Sequence, residues 1–203
     1  ATAQELEQAC AALTSVRRRE APAFAEKVQA ELHELAMEKA RFGVEIAPAA
    51  AEPHGADAVT FLFSANPGEP PRALHRIASG GELSRVMLAL KVVLAGRAGV
   101  PTLIFDEIDA GLSGRAAAVV ARKLEQIARH YQVLAISHLP QLAGRAAQHY
   151  RIEKVARDDR TYTQVRLLSA DDRVTEVARM LAGEEIGESA LANARELLAS
   201  GSS

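Results

Sequence analysis

The sequence predicts an α/β fold in which a largely parallel sheet is flanked by helices and preceded by a helical segment. Three observations lead to this prediction. Beyond residue 78, short apolar runs alternate with amphipathic helical segments, a pattern typical of parallel strands joined by crossover helices. Two of these runs end in polar pairs, as strands with a site at their carboxyl ends do. Residues 1–41 consist mainly of good helix formers.

Length and composition exclude several classes of protein. At roughly 150 residues per domain, 203 residues suggest one domain and an appendage, and 48% hydrophobic content excludes general disorder. The formal charge of −2 argues against a strongly basic nucleic-acid-binding protein, although a basic patch on one face stays possible. A lone cysteine, Cys10, excludes a disulfide framework and favours a reducing compartment. The sequence has no apolar run of about 18 residues and no secretory signal. It starts without Met, inside a helical pattern, so we expect a fragment.

The first predicted element is the helical segment 1–41. Pro22 separates two apolar stripes and is expected to kink the helix or to start a new one. The stripes are Leu6, Cys10, Leu13 and Val16 before it, and Phe24, Val28, Leu32 and Leu35 after it. Nearly balanced charges fit the solvated flanks of a coiled-coil arm. Two ordinary surface helices explain the periodicity equally well.

The remaining elements follow in chain order. Alternating residues predict half-buried strands at 42–47 and 59–63, separated by a polar loop that reaches Asp57, and a break follows at 66–71. We then expect a helix at 80–96, a buried strand at 102–105, a helix at 114–130, a buried strand at 133–136, a short helix after Pro140, strands near 150–155 and 161–168, and helices from 171. The last two strands flank Arg157–Arg160 and predict an antiparallel hairpin.

Ser79-Gly80-Gly81-Glu82 is the first segment with chemical potential. Ser79 and Glu82 fit the S-x-x-E capping box of a helix that begins here. A capping box does not require the two glycines between them. Glycines expose backbone N–H groups where the helix dipole favours an anion, so a phosphate can approach. The sequence leaves both interpretations open.

The second segment is the apolar strand 102–105, which ends in Asp106 and Glu107. Adjacent acids on an extended chain point to opposite sides, so they suit different roles. One can hold Mg²⁺, which takes oxygen ligands and keeps several waters, and the other can face a nucleophilic water. Two solvated acids at a strand end are the alternative.

Two further segments complete the set. Asp109 lies in a glycine-containing loop in which Ser113 is a plausible N-cap for the next helix. Ser137 and His138 follow the apolar strand 133–136, at the same sheet edge as the acids if the two strands run parallel. Taken alone, His138 is more often a structural histidine.

Together these segments resemble the ATPase heads of ABC-type proteins. The matching motifs are Ala78–Arg85 for the signature motif, Thr102–Glu107 for the Walker B strand, Ile108–Gly114 for the D-loop and Ile136–His138 for the switch-histidine loop. Glu82, where transporters usually have Gln, is typical of the SMC side. With Asn66–Glu69, the Lys154 strand and Val177–Gly183, the segment from about 40 to 183 resembles the RecN family of bacterial SMC-like DNA-repair ATPases.

The resemblance implies that ATP is bound between two heads and hydrolysed with Mg²⁺. It implies catalytic roles for Glu107 and His138, and for Asp106 a role in holding Mg²⁺, largely through water. It places Ser79, Gly80 and Gly81 on the opposite head and Asp109 at the seam between the two heads. Together with Glu82, these are the remaining nucleotide-binding residues that the resemblance implies. The implied partners are a second head and DNA, and the implied location is the bacterial cytoplasm at the nucleoid, without a membrane.

One family motif is missing. The sequence contains no G-x-x-x-x-G-K-[ST] loop for the ATP phosphates. We therefore expect residues 42–203 to form the C-terminal lobe of a split head and residues 1–41 the end of its coiled-coil arm. Such a lobe is expected to be inactive without its N-terminal Walker A lobe. The alternatives are a head lobe of another SMC-like ATPase, or a non-enzymatic interaction module.

Overall fold

A computed structural model describes residues 2–96, 100–157 and 160–201 of the chain. The helices are α1 (Ala3–Glu34), α2 (Gly80–Val93), α3 (Gly114–Ala128), α4 (Pro140–Arg145), α5 (Ala170–Ala182) and α6 (Glu188–Ser200). The strands are β1 (Arg41–Glu52), β2 (Gly55–Ser64), β3 (Arg72–Ala73), β4 (Thr102–Phe105), β5 (Gln132–Ala135), β6 (Tyr150–Arg157) and β7 (Arg160–Leu167). The chain divides into two compact units, Ala1–Val100 and Pro101–Ser203.

Helix α1 is continuous over 32 residues. A capping box starts it, because the Thr2 hydroxyl accepts from Glu5 N–H while the Glu5 carboxylate accepts from Thr2 N–H. The helix passes through Pro22, so of the two expected effects of this proline the start of a new helix does not occur. Its last turns are anchored by Val28 and Leu32, whose side chains are fully buried.

The first unit is built on an antiparallel sheet in the order β1-β2-β3. One face of this sheet packs its aromatic rings on α1, where the ring of Phe24 lies 6.3 Å from Phe42 and 5.8 Å from Phe61. The prediction of a polar loop that reaches Asp57 is wrong in length, because β1 continues to Glu52 and pairs with β2. The pairing carries a register shift after Pro48.

The tip of the β1–β2 hairpin is clamped to α1. The Asp57 carboxylate is buried and accepts hydrogen bonds from the Thr14 hydroxyl at 2.8 Å and from Arg17 Nη1 at 2.9 Å. Arg17 Nη2 also donates to the His54 carbonyl at 2.7 Å. The Thr14 hydrogen bond, aided by Arg17, lowers the pKa of Asp57. Gly55 closes the turn at φ 111°, where a Cβ would lie 2.8 Å from Leu13.

The second unit contains the predicted parallel pair, with Phe105 of β4 opposite Ala135 of β5. Helix α3 contributes Val120, Leu124 and Ile127 to the core. The sequence predicts that both faces of these two strands are buried, but in the structure one face is exposed. Ile104 is 69% exposed, and on the same face Leu134 and Ile136 are 45% and 50% exposed. One face of the β4–β5 pair is therefore open.

The final part of the second unit is a hairpin followed by two helices. Strands β6 and β7 pair antiparallel, as predicted, and Asp158 and Asp159 of the expected turn lie outside the described residues. Helices α5 and α6 pack through Val177, Ala178 and Ala194. The described strands form three small sheets, and only the β4–β5 sheet is parallel. Parallel pairing is therefore less extensive than the sequence predicts. The reason is that β1–β2 and β6–β7 have short connections, which permit antiparallel pairing alone.

In the part of the chain that the structure describes, no helix combines the length and the apolar character needed to cross a membrane.

Candidate functional site

The first group of candidate residues lies at the start of α2 in the first unit. Ser79 is the N-cap, and its hydroxyl accepts from Glu82 N–H at 3.3 Å. The helix begins at Gly80, as predicted, and the Ser79 half of the capping box is present. Ser79 and Gly80 are exposed, whereas Gly81 is buried. An anion can therefore reach the first residues of this helix terminus.

A buried cation lies one turn into the same helix, and the sequence analysis missed it. Arg85 is 8% exposed, and desolvation lowers the pKa of its guanidinium while the Glu82 carboxylate opposes that shift. The i+3 spacing from Glu82 was the available signal. The following residues Val86, Leu88 and Leu90 are buried and hold this turn in place.

The acidic pair lies in the second unit, immediately after β4. Asp106 and Glu107 are both exposed, and Glu107 N–H donates to Asp106 Oδ1 at 2.9 Å. Glu107 adopts a left-handed backbone conformation with φ 54°. The chain then closes into a turn in which Ala110 N–H donates to the Glu107 carbonyl at 3.0 Å. The turn presents two carboxylates to solvent at the end of a strand.

Asp109 is the buried acid of the same turn, with a side chain that is 3% exposed. Its Oδ2 accepts from the Ser137 hydroxyl at 2.5 Å and from His138 N–H at 3.1 Å. The His138 ring nitrogen Nδ1 lies 3.2 Å from the same oxygen, while the His138 side chain is 77% exposed. Asp109 therefore joins the turn after β4 to the loop after β5.

The sequence did not predict the burial of Asp109, whose carboxylate is 3% exposed and bonded within its own unit. The expected position of Asp109 at a seam between two heads stays a prediction. No role for Ser137 was predicted from the sequence. Its only signal was the Ser-His pair that follows an apolar strand.

The predicted meeting of the two loops is confirmed. Strands β4 and β5 run parallel, and Ile136 N–H donates to the Phe105 carbonyl at 2.9 Å. The acid pair and Ser137-His138 therefore leave the sheet at the same edge. In the second unit, Asp106 and Glu107 follow β4 and Asp109 contacts His138 of the loop after β5, whereas Ser79 to Glu82 belong to the first unit.

A cation site at this edge would rely on few protein ligands. Among the described residues, no three acidic, histidine or cysteine side chains are grouped so that they could hold a metal ion. An exposed carboxylate such as Asp106 fits Mg²⁺, which usually binds through one or two carboxylates, waters and substrate phosphates.

Comparison with known proteins gives the family. No family model matches the chain. It is 48% identical over 190 residues to the DNA repair protein RecN of Deinococcus radiodurans, an alignment that covers 93% of this chain and 33% of that protein. RecN of Vibrio cholerae is 46% identical over 173 residues, covering 84% and 31%. RecN of Bacillus subtilis is 40% identical over 202 residues, covering 92% and 35%.

This chain belongs to the RecN family. It spans about a third of the length of the RecN relatives it matches. The resemblance of the chain to the RecN family is thereby confirmed.

Solved structures support the fold class of this RecN-family chain. The Smc head domain with a coiled coil and joint from Pyrococcus yayanosii matches with a TM-score of 0.55 at 19% identity, covering 81% of this chain and 29% of that one. The Smc head domain of Pyrococcus furiosus, bound to the C-terminal domain of ScpA, matches with a TM-score of 0.51 at 18% identity, covering 83% and 40%. The chain thus has the mixed α/β fold of SMC ATPase heads.

Proposed function

We propose that this chain is the C-terminal lobe of the ATPase head of a bacterial RecN-type DNA-repair protein, with residues 1–41 as the end of its coiled-coil arm. On this proposal it supplies half of an ATP site and hydrolyses ATP only together with an N-terminal Walker A lobe. The observation that carries the proposal is that Asp106 and Glu107 follow the carboxyl end of β4, while His138 follows the same end of the parallel neighbour β5. Open α/β sheets bind ligands at that edge.

Each of these three residues has a chemical role in the proposal. Asp106 holds Mg²⁺, largely through water, and the cation would neutralise charge on the ATP phosphates. Glu107 orients the attacking water and accepts its proton. His138, with its exposed imidazole, contacts the γ-phosphate side. Phosphoryl transfer depends mainly on such positioning and charge stabilisation.

The start of α2 contributes in trans. Ser79, Gly80 and Gly81 of one head contact the γ-phosphate of ATP held by the other head, and Glu82 lies beside them. Support comes from the exposed Ser79 and Gly80 at a helix N-terminus, where backbone N–H groups and the helix dipole favour an anion. A triphosphate shared in this way explains why ATP would join the heads and why its hydrolysis would release them.

The exposed apolar face of β4–β5 supports the proposal that a second lobe packs on this chain. Ile104, Leu134 and Ile136 form an apolar surface on a strand pair whose sequence is typical of burial on both faces. Apolar surface of this kind marks an interaction site. The chain spans about a third of its RecN relatives, so the rest of the protein is available to cover this face.

A reconstitution experiment tests the proposal. ATP turnover and nucleotide-dependent dimerisation, followed by light scattering, are measured for this chain alone and with the N-terminal lobe of the same protein. We expect negligible turnover and weak ATP binding for the chain alone, and both activities with the lobe. Robust hydrolysis by the chain alone would contradict the proposal. Failure of dimerisation with the lobe present would favour a non-enzymatic module.

A further inference from the structure

We infer that Asp109 is a positioning residue that fixes the His138 loop against the turn carrying Glu107. Its consequence for catalysis rests on the proposed ATPase function, whereas the contact itself can be tested without ATP. The first observation is that the Asp109 carboxylate is buried. A carboxylate that is 3% exposed is stable only when hydrogen bonds replace the water it has lost. Within the described residues, the Asp109 carboxylate is bonded by the Ser137 hydroxyl and the His138 N–H, and the His138 ring lies beside it.

The hydrogen-bond pattern fixes the direction of the Ser137 proton. Leu139 N–H donates to Ser137 Oγ at 3.0 Å, so this oxygen serves as an acceptor there. Its own proton is then directed to Asp109 Oδ2, 2.5 Å away. A distance of this length is typical of a hydroxyl bonded to a charged carboxylate, which is among the stronger hydrogen bonds in proteins. The loop between β5 and α4 is thus held by its side chains and its backbone.

The same carboxylate orients the His138 imidazole. Nδ1 lies 3.2 Å from Oδ2, so a proton on Nδ1 faces the negative charge, which favours the Nδ1–H tautomer of the neutral ring. A carboxylate beside one nitrogen of an imidazole favours one orientation of the ring, and so of the other nitrogen. The side chain remains 77% exposed, so an external group can reach it.

Asp109 also belongs to the turn that carries Glu107. Ala110 N–H donates to the Glu107 carbonyl at 3.0 Å, and Leu112 N–H donates to the Asp109 carbonyl at 3.1 Å. One buried carboxylate therefore sets the spacing between the proposed base and the proposed γ-phosphate contact. Displacement of such groups by about 1 Å can cost about 10²-fold in rate.

The first test uses this chain and nitrogen NMR of its histidines, with His138 assigned by its loss in His138→Asn. At a pH where the imidazole is neutral, we expect His138 to be mainly in the Nδ1–H form. Asp109→Ala should shift it to the mixture of tautomers seen for a free imidazole. Asp109→Asn, which keeps the size and one acceptor oxygen, should give an intermediate result. Asp171→Asn, an exposed acid of α5, is the matched control and should change nothing.

A purely structural role would lower the thermal midpoint of Asp109→Ala without changing the tautomer, and that result would overturn the inference. If Asp109→Ala does not fold, Ser137→Ala decides, because it removes one donor and keeps the carboxylate. Its His138 signals should broaden or shift as the loop loosens, and unchanged signals would equally overturn the inference.

The second test measures turnover by the reconstituted head. We expect Asp109→Asn to lower kcat by about 10- to 100-fold with little change in KM, as for other residues that orient a catalytic group. An unchanged kcat would overturn the catalytic part of the inference. If the unmodified head showed no turnover at all, the proposed function would fail while the tautomer result would still stand.

Discussion

Glu107 combines an exposed carboxylate with a strained backbone. A non-glycine residue at φ 54° costs of order 1–3 kcal/mol, and such strain is frequent at functional sites. Strain alone is not diagnostic, because Ala36, which has no polar side chain, has φ 61° just after the end of α1. What distinguishes Glu107 is its place after a parallel strand and its hydrogen bond to Asp106. The conformation turns the chain away from β4 immediately after the acid pair.

The role of Glu107 as the base is tested by Glu107→Gln in the reconstituted head. The amide keeps the size of the side chain but cannot accept the proton of the attacking water. We expect turnover to fall by about 10²- to 10⁴-fold, the usual contribution of a general base, and an ATP-bound head dimer to accumulate. Size-exclusion chromatography with light scattering detects that dimer. Normal hydrolysis by the variant would refute the assignment.

At the scale of elements, the clamp between α1 and the β1–β2 hairpin is acid-sensitive. The pKa of Asp57 is lowered in the folded chain, chiefly by the Thr14 hydrogen bond, so its ionised form stabilises the fold. This stabilisation is complete above the unfolded pKa and is lost as the pH falls through the lower folded value.

We therefore expect Asp57→Asn to lower the free energy of unfolding most near neutral pH, with the difference shrinking below about pH 4. Urea unfolding as a function of pH measures this difference. Glu45→Asn, an exposed acid on the same hairpin, is the matched control and should show no comparable dependence. A difference for Asp57→Asn that does not change with pH would indicate that its ionisation is not what holds the clamp.

The N-terminus of α2 is the second element whose role can be tested. Ser79→Arg removes the N-cap hydroxyl and places a long cation where a second head would approach. We expect head dimerisation to be lost, while one reconstituted head still binds ATP. Loss of a cap costs about 1 kcal/mol, so Ser79→Ala serves as the control for the cap alone. Loss of ATP binding by the single head in Ser79→Arg would show that this residue acts within its own head.

The sequence predicted correctly those elements whose formation depends on residues close together in the chain. Strand β4 was placed correctly because an apolar run lies between Pro101 and the acid pair. The extension of β1 through Pro48 was missed, since only its pairing with β2 makes it a strand. The burial of Asp109 was missed for the same kind of reason. Its partner Ser137 lies 28 residues further along the chain, and no spacing rule connects the two.

At the scale of the whole molecule, β4–β5 has an apolar face that the sequence predicts to be buried but that is exposed in this chain. A pattern of apolar residues specifies that a strand will be covered on both faces, but it does not specify which segment covers them. The inner face is covered, with Leu103 and Phe105 buried, whereas Ile104 on the outer face is open. The open face is therefore the place where a second lobe would complete the head.

This leads to a prediction for Ile104→Lys. The side chain is 69% exposed, so the substitution should change the stability of this chain by no more than about 0.5 kcal/mol. It should nevertheless weaken association with the N-terminal lobe and lower reconstituted turnover in proportion, because a buried unpaired charge would oppose docking. Leu181→Lys, a 38% exposed site on α5, is the matched control. Titration calorimetry of the lobe against each variant gives the affinities, and equal affinities for the two would mean that the lobe does not cover this face.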